Sequence, residues 1–240
     1  MTEICASHLP YDVLNARIRA AGPELSVDGC LGQRYIGSGS SGQSILLYGT
    51  PGNALGAYLD GSSIEVFGNV QDAVGDTMNG GRICVHGCTG DALGYAMRGG
   101  TILVHGDAGY RAGIHMKEYR DQRPALVIGG RAGSFLGEYQ AGGIIAVLGL
   151  GGDGPAPVGN FCGTGMHGGK IYLRCETLPP DLPEQVLAAP AEEADLGELR
   201  PLLEEFCAAF GEDPDGLLQS RFYVLRPNAR NPYHRLYTPD

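Results

Sequence analysis

The chain has 240 residues, of which 43% are hydrophobic; it holds 40 glycines and seven cysteines and carries a formal net charge of −10. That length and apolar content support a sizeable core, and the absence of a strict three-residue glycine register, with Ile, Val and Leu interleaved, excludes collagen and flexible linker. Eleven acids and the single base Arg200 fall between Asp181 and Asp215, so the remaining acids and bases balance; a neutral body with an acidic connector offers no footprint for a phosphate backbone, and nucleic acid is excluded as a partner.

The N-terminus, MTEICASHLPYD, has no basic region followed by an apolar one, and no apolar run approaches the roughly 20 residues that cross a bilayer. With an odd number of cysteines, this points to a reduced, cytoplasmic setting and to no membrane partner. Tyr11 to Pro23 reads as a short helix stopped by Gly22-Pro23, and residues 1–24 form an N-terminal helical cap.

Next comes YIGSGSSGQSIL (Tyr35 to Leu46), in which Gly37, Gly39 and Gly42 spell the G-x-G-x-x-G spacing of dinucleotide sites. Such a loop needs a helix behind it to supply amide groups to the phosphate. Ser44 to Gly49 is instead a short apolar run closed by glycine, which predicts a strand.

A 19-residue repeat accounts for these glycines. Gly49, Gly68, Gly87 and Gly106 recur in register, and after insertions of five and seven residues the series continues through Gly130 and Gly149 to Cys175. A second slot, seven residues on, holds Gly56, Gly75, Gly94, Gly113 and Gly137; a third, twelve on, holds Gly61, Gly80, Gly99 and Gly142. Projected backwards, the register reaches Cys30, Gly37 and Gly42, so two of the three fingerprint glycines belong to the repeat. Between them Ile64/Val66, Ile83/Val85, Ile102/Val104, Leu126/Ile128, Ile145/Val147 and Ile171/Leu173 occupy alternate strand positions, as an inward-facing ladder requires.

Nineteen residues are too few for a strand plus a crossover helix, so each unit must turn corners, with glycine supplying positive φ. The prediction is an all-β parallel β-helix of about seven coils over residues 25–178, on the order of 35 Å long at about 4.8 Å per coil. Residues 179–220 then form an acidic connector and a helix, which starts at Pro201 and spaces Leu202, Leu203, Phe206 and Phe210 along one face. Residues 221–240 are an Arg/Tyr-rich tail, with Arg226, Tyr233 and Arg235 as interface candidates, strapped over the acidic segment or docked on a partner.

Four units carry Gly-x-x-Gly-x-x-x-Gly: Gly49/Gly52/Gly56, Gly87/Gly90/Gly94, Gly106/Gly109/Gly113 and Gly130/Gly133/Gly137; the unit at Gly68 departs with Gln71. From about Leu25 to Cys175 the chain resembles the glycine-motif domain at the C-terminal end of the glutamate synthase large subunit. That domain also occurs as a separate polypeptide, whose end the tail resembles, and has a relative among the component chains of formylmethanofuran dehydrogenase. The resemblance implies a right-handed β-helix and a non-catalytic architectural role. It also implies that FMN and iron–sulfur clusters belong to partner chains, a glutaminase and an FMN-containing synthase, with no cofactor, catalytic or metal residue in this chain. The alternatives are a scaffold in a formylmethanofuran dehydrogenase or related amine-oxidising complex, and a free-standing enzyme working along a groove of the helix.

Three local features bear on chemistry. Cys84, His86, Cys88 and His105 form a group of soft ligands that either binds zinc or, as an outward ladder led by His86 and His105, meets a different chain or a second copy of this one. Cys162, with His167 nearby, lies in the longer insertion, Gly149 to Gly165, as a nucleophile or an incidental thiol. The other insertion, His115 to Pro124, is charged and places Tyr119 and Arg120 as contact residues.

Overall fold

The computed structural model describes all residues except 153, 155 and 229–240. Nine strands follow one another in parallel: β1 (Thr2–Cys5), β2 (Glu24–Leu31), β3 (Ser44–Thr50), β4 (Asp60–Phe67), β5 (Gly80–Val85), β6 (Thr101–Val104), β7 (Ala125–Ile128), β8 (Ala141–Val147) and β9 (Gly168–Arg174). Their eight successive pairings make a parallel β-solenoid of about eight turns, where the glycine count predicts about seven. The extra rung is β1, which precedes helix α1 (Tyr11–Ala20) within residues 1–24 and carries none of the repeat's glycines.

The register stacks like on like. Ile45, Ile64, Ile83, Ile102, Leu126, Ile145 and Ile171 form one fully buried column, and Leu47, Val66, Val85, Val104, Ile128, Val147 and Leu173 form the next. A third column, Leu55, Val74, Leu93, Ala112 and Leu136, ends on Cys162. Each column continues apolar contact from rung to rung, so the interior of the solenoid is one uninterrupted stack.

The corners are built differently from the prediction. Each carries left-handed residues in alternation, as at Ala54, Gly56 and Tyr58 (φ +60°, +64° and +57°), where only the middle one is glycine. A Cβ on Gly56 would lie 2.6 Å from Cδ1 of Ile83 in the core column, whereas the Tyr58 side chain points to solvent and is exposed. The repeat therefore marks the corner position that faces inward. In the first slot Gly87, Gly106 and Gly130 do not have positive φ; they are glycines because the preceding rung passes too close, with a Cβ on Gly87 falling 2.3 Å from Oδ1 of Asn69. That asparagine accepts the Cys88 amide at 2.9 Å, and Asn53, Asp72 and Asp91 cap the next rung's amides in the same way.

No helix follows Gly42; strand β3 begins two residues later. The solenoid's far end is closed by β10 (Val186–Pro190) and β11 (Phe222–Pro227), with β11 inserted antiparallel between β9 and β10. Helix α2 (Glu193–Phe210) and the short α3 (Pro214–Leu218) lie between them in sequence.

Helix α2 starts eight residues before the predicted Pro201. Glu192 and Asp195 form a reciprocal capping box there, and Gly211 in the left-handed conformation ends the helix. Pro201 is tolerated inside because the carbonyl it fails to engage belongs to Gly197 on the exposed side. The buried side, Leu199, Leu203, Phe206 and Cys207, packs on the outer surface of the sheet against Leu103, Val127, Ala146 and Tyr172.

Candidate interaction surfaces

The outer surface of the sheet divides at α2. On its early rungs Tyr48 and Phe67 stack at 4.9 Å, and Phe67 stacks on His86 at 4.6 Å, with both leading rings exposed. From His86 onward the column is met by this chain's own helix. Phe210 sets its edge against His86 at 5.2 Å and lies flat on His105 at 4.9 Å. His86 shares a hydrogen bond with Glu65 at 2.9 Å and His105 one with Glu212 at 3.3 Å. The two outward histidines thus hold α2 in place, with about 29% and 41% of their side chains still accessible beside it.

The four soft ligands do not converge. Cys84 points outward as its register requires but is completely buried, beside the Arg82–Glu205 ion pair of 2.7 Å, and burial pushes its thiol up to about 11. Cys88 is exposed and its Sγ accepts the Asp107 amide at 3.3 Å, in the role that aspartate plays elsewhere in the ladder. Among the described residues the donors that do meet are those of Glu65, Cys84 and His86, within 4.8 Å of one another. Sequence alone did not bring Glu65 into this group, although its register places it directly opposite Cys84.

Cys162 is the core thiol at the end of the Leu column, and burial pushes it up to about 12. Enclosed in this way, the thiol packs as a core side chain. His167 turns Nδ1 toward the Gly165 carbonyl at 3.2 Å.

The insertion at 115–124 is pinned at its base and open at its tip. Arg123 bridges Glu118 at 3.2 Å and Glu198 of α2 at 2.7 Å, while the Gly143 amide donates to Glu118 at 3.0 Å. At the tip Tyr119 is exposed, with the Arg120 guanidinium 5.0 Å over its ring. These two face a shallow depression shared with Asp60, Asn79 and Arg98.

Arg226 lies on β11 and pairs with Asp195 of α2, so the start of the tail straps the acidic helix; Tyr233 and Arg235 lie outside the described residues. Lys170 reaches Asp195 at 3.3 Å and Glu198 at 2.6 Å, and the Tyr172 hydroxyl donates to Glu198 at 2.6 Å. Burial would raise the Glu198 carboxyl, but hydrogen bonds from Lys170, Tyr172 and Arg123 outweigh it and hold the group at about 2.

A surface that sequence reasoning missed runs along the corners of the later rungs. Tyr110, Phe135 and Phe161 succeed one another at 5.4 and 5.0 Å, with the Arg111 guanidinium 4.9 Å over Tyr110; Tyr95, His115 and Tyr139 form a second column at 6.0 and 5.2 Å. Their signal was the common register: Arg111, Phe135 and Phe161 occupy one left-handed corner slot, His115 and Tyr139 another.

These features define a parallel β-solenoid wound by a glycine repeat, closed by an antiparallel strand pair and clasped by one long helix. The chain belongs to the GXGXG motif family, that of the glutamate synthase C-terminal domain, whose model matches residues 6–226. It is also 44% identical over 251 residues to a Methanocaldococcus jannaschii protein, uncharacterized protein MJ1350, across 99% of this chain and 96% of that one.

Proposed function

We propose that the chain is a non-catalytic structural subunit of a glutamate-synthase-type complex. Partner chains hydrolyse glutamine and reductively aminate 2-oxoglutarate, and FMN and iron–sulfur clusters reside in them. The observation that carries this reading is the family match over residues 6–226. The geometry suits the role: stacked rungs with one continuous core resist bending, and their outward slots present rows of side chains at fixed spacing. The exposed ends of the aromatic columns, with Tyr119 and Arg120 at the insertion tip, supply the aromatic and arginine anchors on which interfaces depend. No helix among the described residues is long and apolar enough to cross a membrane, and we place the complex in the cytoplasm.

Affinity purification of the chain from its native host tests the assignment. A glutaminase and an FMN-containing chain should co-purify with it. Recovery of a pterin-dependent enzyme instead would move the chain to a formylmethanofuran-dehydrogenase-type complex.

A further inference from the structure

We infer that the closed end of the solenoid holds a binding site for a small, multiply charged oxyanion, a phosphate or polycarboxylate, formed by Arg131, Arg174 and Arg221. The three come from distant parts of the chain: Arg131 from the turn after β7, Arg174 from the end of β9 and Arg221 from the residue before β11. They line one cavity of about 490 Å³, with Gly149, Ser220 and the base of the longer insertion. That volume suits a small-molecule ligand.

Among the described residues, the charge around this cavity is poorly balanced. Its described lining offers one carboxylate, Glu176, which is largely exposed and stands 3.8 Å from Arg221, too far for a hydrogen bond. Arg131 has no ion pair among the described residues. Arg174 donates from Nη1 to the Leu148 carbonyl at 2.7 Å, which fixes the plane of its guanidinium, yet its Nε is buried and lacks a partner.

An oxyanion seated among the three guanidinium groups would neutralise this local excess of positive charge. Guanidinium forks match carboxylate and phosphate geometry in pairs of bonds, and three of them around one cavity favour ligands with more than one negative charge.

The test uses the full chain with two probes, inorganic pyrophosphate and 2-oxoglutarate, titrated calorimetrically at constant ionic strength. At least one should bind saturably at about one equivalent, and the better probe distinguishes a phosphate from a carboxylate site. In Arg131→Ala and Arg221→Ala the affinity should fall roughly tenfold or more for each fork removed. Neither variant breaks a close internal pair, so unfolding midpoints without ligand should match the parent and keep the binding loss interpretable. Absence of saturable binding by both probes, or equal affinity in the parent and both variants, would overturn the site.

Discussion

Gly49→Ala is expected to cost about 2–5 kcal/mol of stability, and Gly42→Ala only about 1–2. Both glycines have left-handed φ, +113° and +71°, so each alanine incurs the backbone strain of about 1–2 kcal/mol. They differ in what the new methyl meets. At Gly42 it enters open space, whereas at Gly49 it falls 2.4 Å from the carbonyl oxygen of Cys30 on the rung below. That neighbour is backbone, held in the ladder by its pairing with Gly49 itself, so relief requires rungs to part, adding about 1–3 kcal/mol. Chemical denaturation of the two variants beside the parent reads the difference directly. Equal losses would mean that the first glycine slot is not set by rung-to-rung approach.

Phe206→Ala is expected to cost about 3–5 kcal/mol, the range for a large aromatic removed from a core. The ring is fully buried between α2 and the sheet, 4.8 Å edge-on to Phe210, with its tip over the notch left by Gly129, where a Cβ would sit 2.8 Å from Cζ. Its loss frees the helix that carries Asp195, Glu198 and Glu205, and with it the ion pairs to Lys170, Arg123 and Arg82. Phe161→Ala, on an exposed corner ring, should stay within about 0.5 kcal/mol of the parent. Comparable losses in the two variants would show that α2 is not a structural clasp.

The contrast between these residues explains what the sequence disclosed. Repetition made the solenoid legible: Ile64, Ile83 and Ile102 recur because each occupies the same inward slot, and Gly56, Gly75 and Gly94 because each corner turns the same side toward the core. Elements outside the repeat had no such redundancy. Strand β1 lacks the glycines, and β10 lies in a proline-rich acidic stretch whose partner β11 comes some 30 residues later, a pairing that no local pattern encodes. Capping chemistry at Glu192 and Asp195 outweighed the proline signal at Pro201.

The candidate surfaces were legible in part for the same reason. The alternation of β5, carried on to the next residue, turned Cys84 and His86 outward, but whether an outward side chain meets solvent depends on α2, which arrives more than 100 residues later. His86 and His105 therefore came out as half-covered contacts to Phe210, and the aromatic corner columns, which depend on non-glycine residues in left-handed conformation, were not foreseen.

The central functional claim is that this solenoid is a rigid part on which other chains perform chemistry. Its most direct test is the purified chain by itself, assayed for glutamine hydrolysis and titrated with FMN. Neither turnover nor saturable flavin binding is predicted; glutaminase activity in the isolated chain, or stoichiometric uptake of FMN, would contradict it.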